Sequence, residues 1–336
     1  MNAEPMLVVD GLRTHFRTPR GVVRAVDGVD LRVERGQSVG IVGESGSGKT
    51  VLSRSVMGIL TGPEVVRTGS VRFEGVELVG RPVKQLRQLW GRELAMVFQD
   101  PMGSLNPLMR IGDQVAEPLR VHLGMGAATA AAGAVRLLTD VRIPHPEQRL
   151  RQYPHELSGG MRQRVMIAIA LACGPKVLFA DEPTTALDVT VQAQILELIG
   201  EQRRERNMAV VLVTHDLGVV ARHTDHIVVM YAGQVVEQAP TPTLFASMRH
   251  RYTEALMRSI PALDAPSHSR LQAIPGRPPD LVNPPAGCRF APRCAHASDR
   301  CLVEPPPLLD AGEPGHRFAC WHPVELTAGL RGRGTP

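Results

Sequence analysis

The chain has 336 residues, 43% of them apolar and 21% charged, ordinary for a folded soluble protein and enough for one large domain with an extension, or two modest ones. A formal net charge of +5 fits phosphate ligands or an anionic membrane face, and is too small and too dispersed to argue for a nucleic-acid partner. Glu4 and Asp10 interrupt any basic-then-apolar leader, and the longest apolar stretch, Val165 to Cys173, is far short of a membrane span, so the sequence predicts a cytoplasmic chain whose membrane role comes through a partner.

Residues Leu7 to Val9 and Val29 to Val33 alternate apolar and polar, as half-buried strands do. The apolar run Ser38 to Val42 feeds into Gly43-Glu44-Ser45-Gly46-Ser47-Gly48-Lys49-Thr50, and Lys49 to Leu60 reads as a helix. Strand, glycine loop and helix form the context a phosphate-binding loop requires. Gly43, Gly46 and Gly48 let successive N–H groups turn inward around phosphate oxygens, and the helix adds its positive end. Lys49 supplies a charge to the outer phosphates, and the Thr50 hydroxyl is a ligand for Mg²⁺.

Gln99 to Pro107 is a polar, Pro-containing loop, and helical periodicity runs from Ile111 to about Leu138. Gln99 can touch Mg²⁺ and an attacking water without fixing charge there. A second glycine run, Leu157-Ser158-Gly159-Gly160-Met161-Arg162-Gln163, opens a helix over Glu156 to Cys173. The buried strand Val177 to Ala180 ends in Asp181-Glu182, where Asp181 would hold the metal through water and Glu182 would polarise the attacking water. An amphipathic helix, Val191 to Arg206, leads to the buried strand Val210 to Thr214, which ends at His215. A ring there is placed to meet the terminal phosphate and orient the water, because ligand-facing groups gather at such strand ends. Alternating buried strands and helices predict an α/β domain with a mainly parallel sheet, carrying a helical lobe between Gln99 and about Leu171.

These motifs together resemble the ATP-binding-cassette (ABC) ATPases, the nucleotide-binding subunits of transporters, over roughly residues 7 to 250. The resemblance implies a P-loop NTPase fold: a mostly parallel core, an antiparallel β subdomain and a helical subdomain at about 100–171 within a domain of residues 1–250. It also implies that Ser158, Gly159 and Gly160, in a motif closed by Gln163, contact ATP held by an opposing subunit. Thr185-Ala186-Leu187-Asp188 resembles the loop that crosses that interface, with Asp188 its acidic member. Phe16 is the candidate for an aromatic that stacks on adenine. Phe98-Gln99-Asp100-Pro101, Ser104-Leu105-Asn106-Pro107 and Tyr153-Pro154-His155-Glu156-Leu157 are similar to the oligopeptide/dipeptide importers. That similarity implies a second ATPase subunit, two membrane permeases and a separate solute-binding protein. Importers of nickel and other small solutes share these features, and a soluble cassette ATPase acting outside transport is the alternative of another class.

The stretch 251–336 differs in character: fourteen of the 28 prolines fall from Pro261 onward, so regular sheets and long helices are not expected there. It holds Cys288, Cys294, Cys301 and Cys320, whereas Cys173 lies in a helical apolar run and reads as a core residue. A cysteine cluster in a chain without an export signal favours a metal over disulfides. No pair has the two-residue spacing of a zinc knuckle. The segment from Cys288 through Cys320-Trp321-His322 is similar to the C-terminal region of peptide-importer ATPases, some of which bind a 4Fe–4S cluster. Iron–sulfur is the first expectation, with zinc or free or paired thiols as alternatives. Arg289, Arg293 and Arg300 are expected to favour the thiolates.

Overall fold

The computed structural model describes residues 5–185, 187–259 and 274–325. They divide into two compact units that do not follow chain order. One takes 5–33, 39–79, 214–259 and 274–325; the other takes 34–38 and 80–213. The fold is the expected α/β one, with both parallel and antiparallel strand pairs.

In the first unit, a four-stranded antiparallel sheet runs in the order Gly21–Val33, Leu7–Thr18, Val65–Phe73, Val76–Glu77. The two strands seen in sequence at 7–9 and 29–33 are the ends of a long hairpin, with Leu7 opposite Val33 and Thr18 opposite Gly21. Polar insertions hid its middle: the register shifts between Val9 and Leu12, where Gly11 takes a left-handed φ of 55° and its N–H meets Asp30 Oδ1 at 2.7 Å. Residues 39–42 of the strand Ser38–Val42 pair in parallel with His226–Tyr231, which pairs antiparallel with Gln234–Pro240. All five residues of Ser38–Val42 are buried, as expected for a strand covered on both faces. The helix after the glycine loop, Lys49–Met57, stops earlier than expected because Gly58 turns left-handed and its N–H closes on Arg54 and Ser55 carbonyls.

The proline-rich stretch contains more regular structure than its composition suggests. Arg317–Phe318 adds to Gln234–Pro240, Leu309–Asp310 adds to Arg317–Phe318, and Asp299–Val303 is a short helix. Phe290 is only 3% exposed. Its ring lies 5.3 Å from those of both Tyr231 and Tyr252, in the same apolar cluster as Val42 and Val229. Removing a ring from such a cluster costs about 3–5 kcal/mol, so this extension shares a hydrophobic core rather than lacking one. Behind it, buried Glu237 accepts from the backbone N–H of Arg249 and His250 and pairs with His316 at 2.8 Å.

In the second unit, Leu94–Val97, Val177–Asp181 and Ala209–Thr214 are parallel neighbours, with Val97 opposite Ala180 and Asp181 opposite Val213. The helical stretch expected over 111–138 is two helices, Ile111–Leu123 and Ala127–Asp140, separated by Gly124 at φ 66°. Both pack on Gly159–Leu171, whose apolar residues face all directions and are mostly buried. Among the described residues no single helix is long and apolar enough to cross a membrane.

Candidate functional site

Two contacts define the glycine loop. At Gly43, with φ 153°, a Cβ would lie 2.2 Å from the Met230 carbonyl oxygen; at Gly48, with φ 101°, one would lie 2.2 Å from that of Ala25. Strand His226–Tyr231 and the hairpin thus press the loop from behind, and only glycine fits at these points. Gly48 sits where the helix Lys49–Met57 needs an N-cap and supplies no side-chain cap, leaving that end suited to an anion. Lys49 is buried, 5% exposed, and its ammonium donates to the Gly43 and Glu44 carbonyls at 2.8 and 2.9 Å. The Ser47 hydroxyl is buried with no hydrogen-bond partner among the described residues. A cationic, glycine-lined loop with an unsatisfied hydroxyl fits a phosphate chain. Ser45 and Gly46 form the exposed crown of the loop, and Thr50 is half-buried at the first turn of the helix.

Glu44 is held from outside the loop. Its N–H donates to the Tyr252 hydroxyl at 2.8 Å, and its carboxylate takes both Arg293 Nη atoms, at 2.5 and 3.0 Å. Neither partner was singled out for this role from the sequence. Phe16 is half-buried in its strand, opposite Val23 and Val65. His215 is exposed just beyond Thr214, and Asp216 next to it caps the helix Leu217–His223.

The second unit brings Gln99 and Glu182 together. The Glu182 carboxylate accepts from Gln99 Nε2 and from the Thr185 hydroxyl, each at 3.0 Å. Glu182 stands at φ 45°, an unusual conformation for a non-glycine residue, held by its N–H bond to the Val213 carbonyl at 2.9 Å. The preceding Asp181 is wholly buried at the strand end. Asp181 and Gln99 in this unit, like Thr50 in the first, each offer an oxygen donor of the hard kind Mg²⁺ takes. The sequence marks Thr185 only as part of a loop; a threonine three residues after the glutamate is the signal for this contact.

The second glycine run is a helix start. Ser158, exposed, caps Gly159–Leu171 by accepting from Met161 N–H at 3.3 Å. The helix is shorter than the expected 156–173 because Pro154–Glu156 forms a separate turn ahead of it. A Cβ on Gly160 would meet Val191 at 2.8 Å, whereas Gln163 points inward and is 2% exposed. Asp188 caps Val189–Arg206 through Val191 N–H at 2.9 Å; Ala186 in the same loop lies outside the described residues.

The four C-terminal cysteines line one small pocket with His250, Phe290 and Trp321, and the Cys288 N–H donates to the Cys301 carbonyl at 2.8 Å. Among the described residues, however, no group of three or more His, Cys, Asp or Glu is placed to hold a metal. Burial pushes the Cys288 thiol up to about 11 and raises those of Cys294 and Cys320. The three neighbouring arginines make their hydrogen bonds elsewhere. Arg289 goes to Asp27 and the Ala232 carbonyl, Arg293 to Glu44, and Arg300 to Glu304 and the face of Trp321. Carboxylates and carbonyls outcompete neutral thiols for guanidinium groups. The donor chemistry suits a metal, but the thiols as placed do not form a coordinating set.

Residues 26–185 match the ABC transporter model, and residues 236–301 match that of the oligopeptide/dipeptide transporter C-terminal region. The chain is 48% identical over 323 residues to the oligopeptide transport ATP-binding protein OppD of Salmonella typhimurium, covering 96% of this chain and 95% of that one. It is also 48% identical over 320 residues to the dipeptide transport ATP-binding protein DppD of Escherichia coli, covering 95% and 97%. Among solved structures, the ATP-binding cassette MJ0796, dimeric in a post-hydrolysis state with ADP and Pi, superposes with a TM-score of 0.64 at 26% identity, over 70% of this chain and 99% of that one.

Gly48→Ala tests the loop's geometry. Strain and the clash with the Ala25 carbonyl should weaken nucleotide binding at least about ten-fold, following the roughly 1–3 kcal/mol cost of a forced backbone. Gly126→Ala, with nothing within 4 Å of the added carbon, should leave a fluorescent-nucleotide titration unchanged.

Proposed function

The chain belongs to the ABC transporter family of ATP-binding proteins, and on that premise we propose that it is the ATP-hydrolysing subunit of an importer of oligopeptides or dipeptides. One observation carries the reading: a phosphate-binding loop and an oligopeptide/dipeptide transporter C-terminal region occur in one chain, within a similarity to peptide-transport ATPases that spans 96% of it. ABC importer ATPases of this kind work with membrane permeases and lie peripheral to the membrane. For this chain we add a second ATPase subunit, two permeases, an extracytoplasmic solute-binding protein and a position on the cytoplasmic face.

In this proposal Lys49 and the N–H groups of residues 43–50 hold the phosphates. Thr50, Asp181 and Gln99 hold Mg²⁺, which supplies charge neutralisation at the phosphates. Gln99 and Thr185 keep the Glu182 carboxylate in one orientation, from which it takes the proton of the attacking water. His215 orients that water against the terminal phosphate, and Phe16 stacks on the base. Ser158, Gly159 and Gly160 offer a helix start to the nucleotide of the opposing subunit, with Gln163 buttressing that helix from inside and Asp188 in the loop facing the same interface. Neither subunit alone completes a pocket, so nucleotide closes the pair and hydrolysis releases it.

We further propose that the four cysteines, which line one small pocket, hold a 4Fe–4S cluster. Anaerobically purified protein should then be brown, absorb near about 400 nm and carry iron and sulfide. Colourless protein with stoichiometric zinc, or with no metal, contradicts this.

Glu182→Gln should lower phosphate release about 100- to 1,000-fold, the range for loss of a general base, while nucleotide binding persists. Unchanged turnover in a phosphate-release assay would remove Glu182 from this role.

A further inference from the structure

The turn between Cys288 and Cys294 sends two arginines away from the thiols and toward the nucleotide loop. Arg289 donates to the Ala232 carbonyl at 2.5 Å and to Asp27. The next residue, Gly233, donates to the Ser47 carbonyl and accepts from Asp27 N–H, each at 2.8 Å. Arg293, its side chain 3% exposed, reaches Glu44 itself. Every nitrogen of that guanidinium is engaged: Nε with the Pro275 carbonyl at 2.8 Å, Nη1 with Glu44 and the Tyr231 hydroxyl, Nη2 with Glu44 and the Ile274 carbonyl. Phe290, between the two arginines, anchors the turn in the aromatic cluster with Tyr231 and Tyr252.

Glu44 puts a carboxylate inside a loop that must accept a polyanion. Left uncovered, it would repel the phosphates and could take Lys49 for itself. Covered by a bidentate guanidinium, it is neutralised and fixed. Its N–H and its carbonyl are also engaged, by Tyr252 and Lys49, so three separate contacts hold one residue of the loop.

We propose that Arg293 is a positioning residue for nucleotide binding: by neutralising Glu44 and fixing it from the C-terminal extension, it sets the charge and shape of the phosphate loop. Nothing in the comparisons gives the extension this role. The proposal rests on the reading of residues 43–50 as the ATP site. It also means that whatever alters the turn from Cys288 to Cys294 alters nucleotide affinity.

The test is titration of the full-length chain with a fluorescent ATP analogue and Mg²⁺, alongside thermal unfolding. Arg293→Ala should raise the dissociation constant about ten-fold, the size expected for uncovering a partly buried charge beside an anion. Arg293→Lys, which keeps the charge but loses the fork, should fall between it and the unaltered chain. Removing the carboxylate as well, in Arg293→Ala with Glu44→Gln, should restore affinity to within about two-fold; mere structural damage would not be repaired by a second loss. An unchanged constant in Arg293→Ala, or a double variant as weak as the single one, overturns the proposal. Lys49→Ala separates the two readings: if it binds nucleotide normally, the phosphate-loop assignment itself fails, whatever Arg293 does.

Discussion

The nucleotide half of this protein depends on two close approaches between backbones. Gly43 and Gly48 lie against the carbonyls of Met230 and Ala25 with no space for a Cβ. Those carbonyls come from a strand nearly 190 residues later in the chain and from the N-terminal hairpin. The loop's conformation is therefore imposed by tertiary structure, and its glycines are what allow it. Lys49 bridging two loop carbonyls, and Glu44 held by Tyr252 and Arg293, then fix the remaining freedom.

The acidic half follows the same physical logic with different means. Asp181 is buried at a strand end, and Glu182 is forced into a left-handed conformation that puts its carboxylate between Gln99 and Thr185. Conformational strain at a single residue costs on the order of 1–3 kcal/mol and persists only where the surroundings enforce it. Here the enforcement is the Glu182 N–H bond to the neighbouring strand. The helix starts at Ser158 and Asp188 are satisfied by their own caps, so both stand ready-made on the same unit.

Much of this was legible because the informative residues are local in sequence. The glycine loop, the strand ending in Asp181-Glu182 and the run Ser158-Gly159-Gly160 each announce a strand, turn or cap within eight residues. The Gln99–Glu182 contact was foreseen only as two residues serving one water. What stayed hidden depends on distant partners: Tyr252 and Arg293 meet Glu44 from 208 and 249 positions away, and nothing local marks them. Arg289 and Arg293 lie beside cysteines in sequence, but stronger acceptors for them lie across the fold. Proline content likewise concealed that Phe290 would carry the extension into a shared core.

In the proposed assembly one chain holds only part of each working pocket, the helix start at Ser158–Gly160 serving nucleotide bound elsewhere. Phosphate release by the assembled transporter carrying Gly159→Asp tests it most directly, read beside nucleotide binding to the isolated chain. Release should fall at least about ten-fold, as for a lost transition-state contact, while isolated-chain affinity stays within about two-fold. Undiminished release, or a matching loss of affinity in the isolated chain, would contradict it.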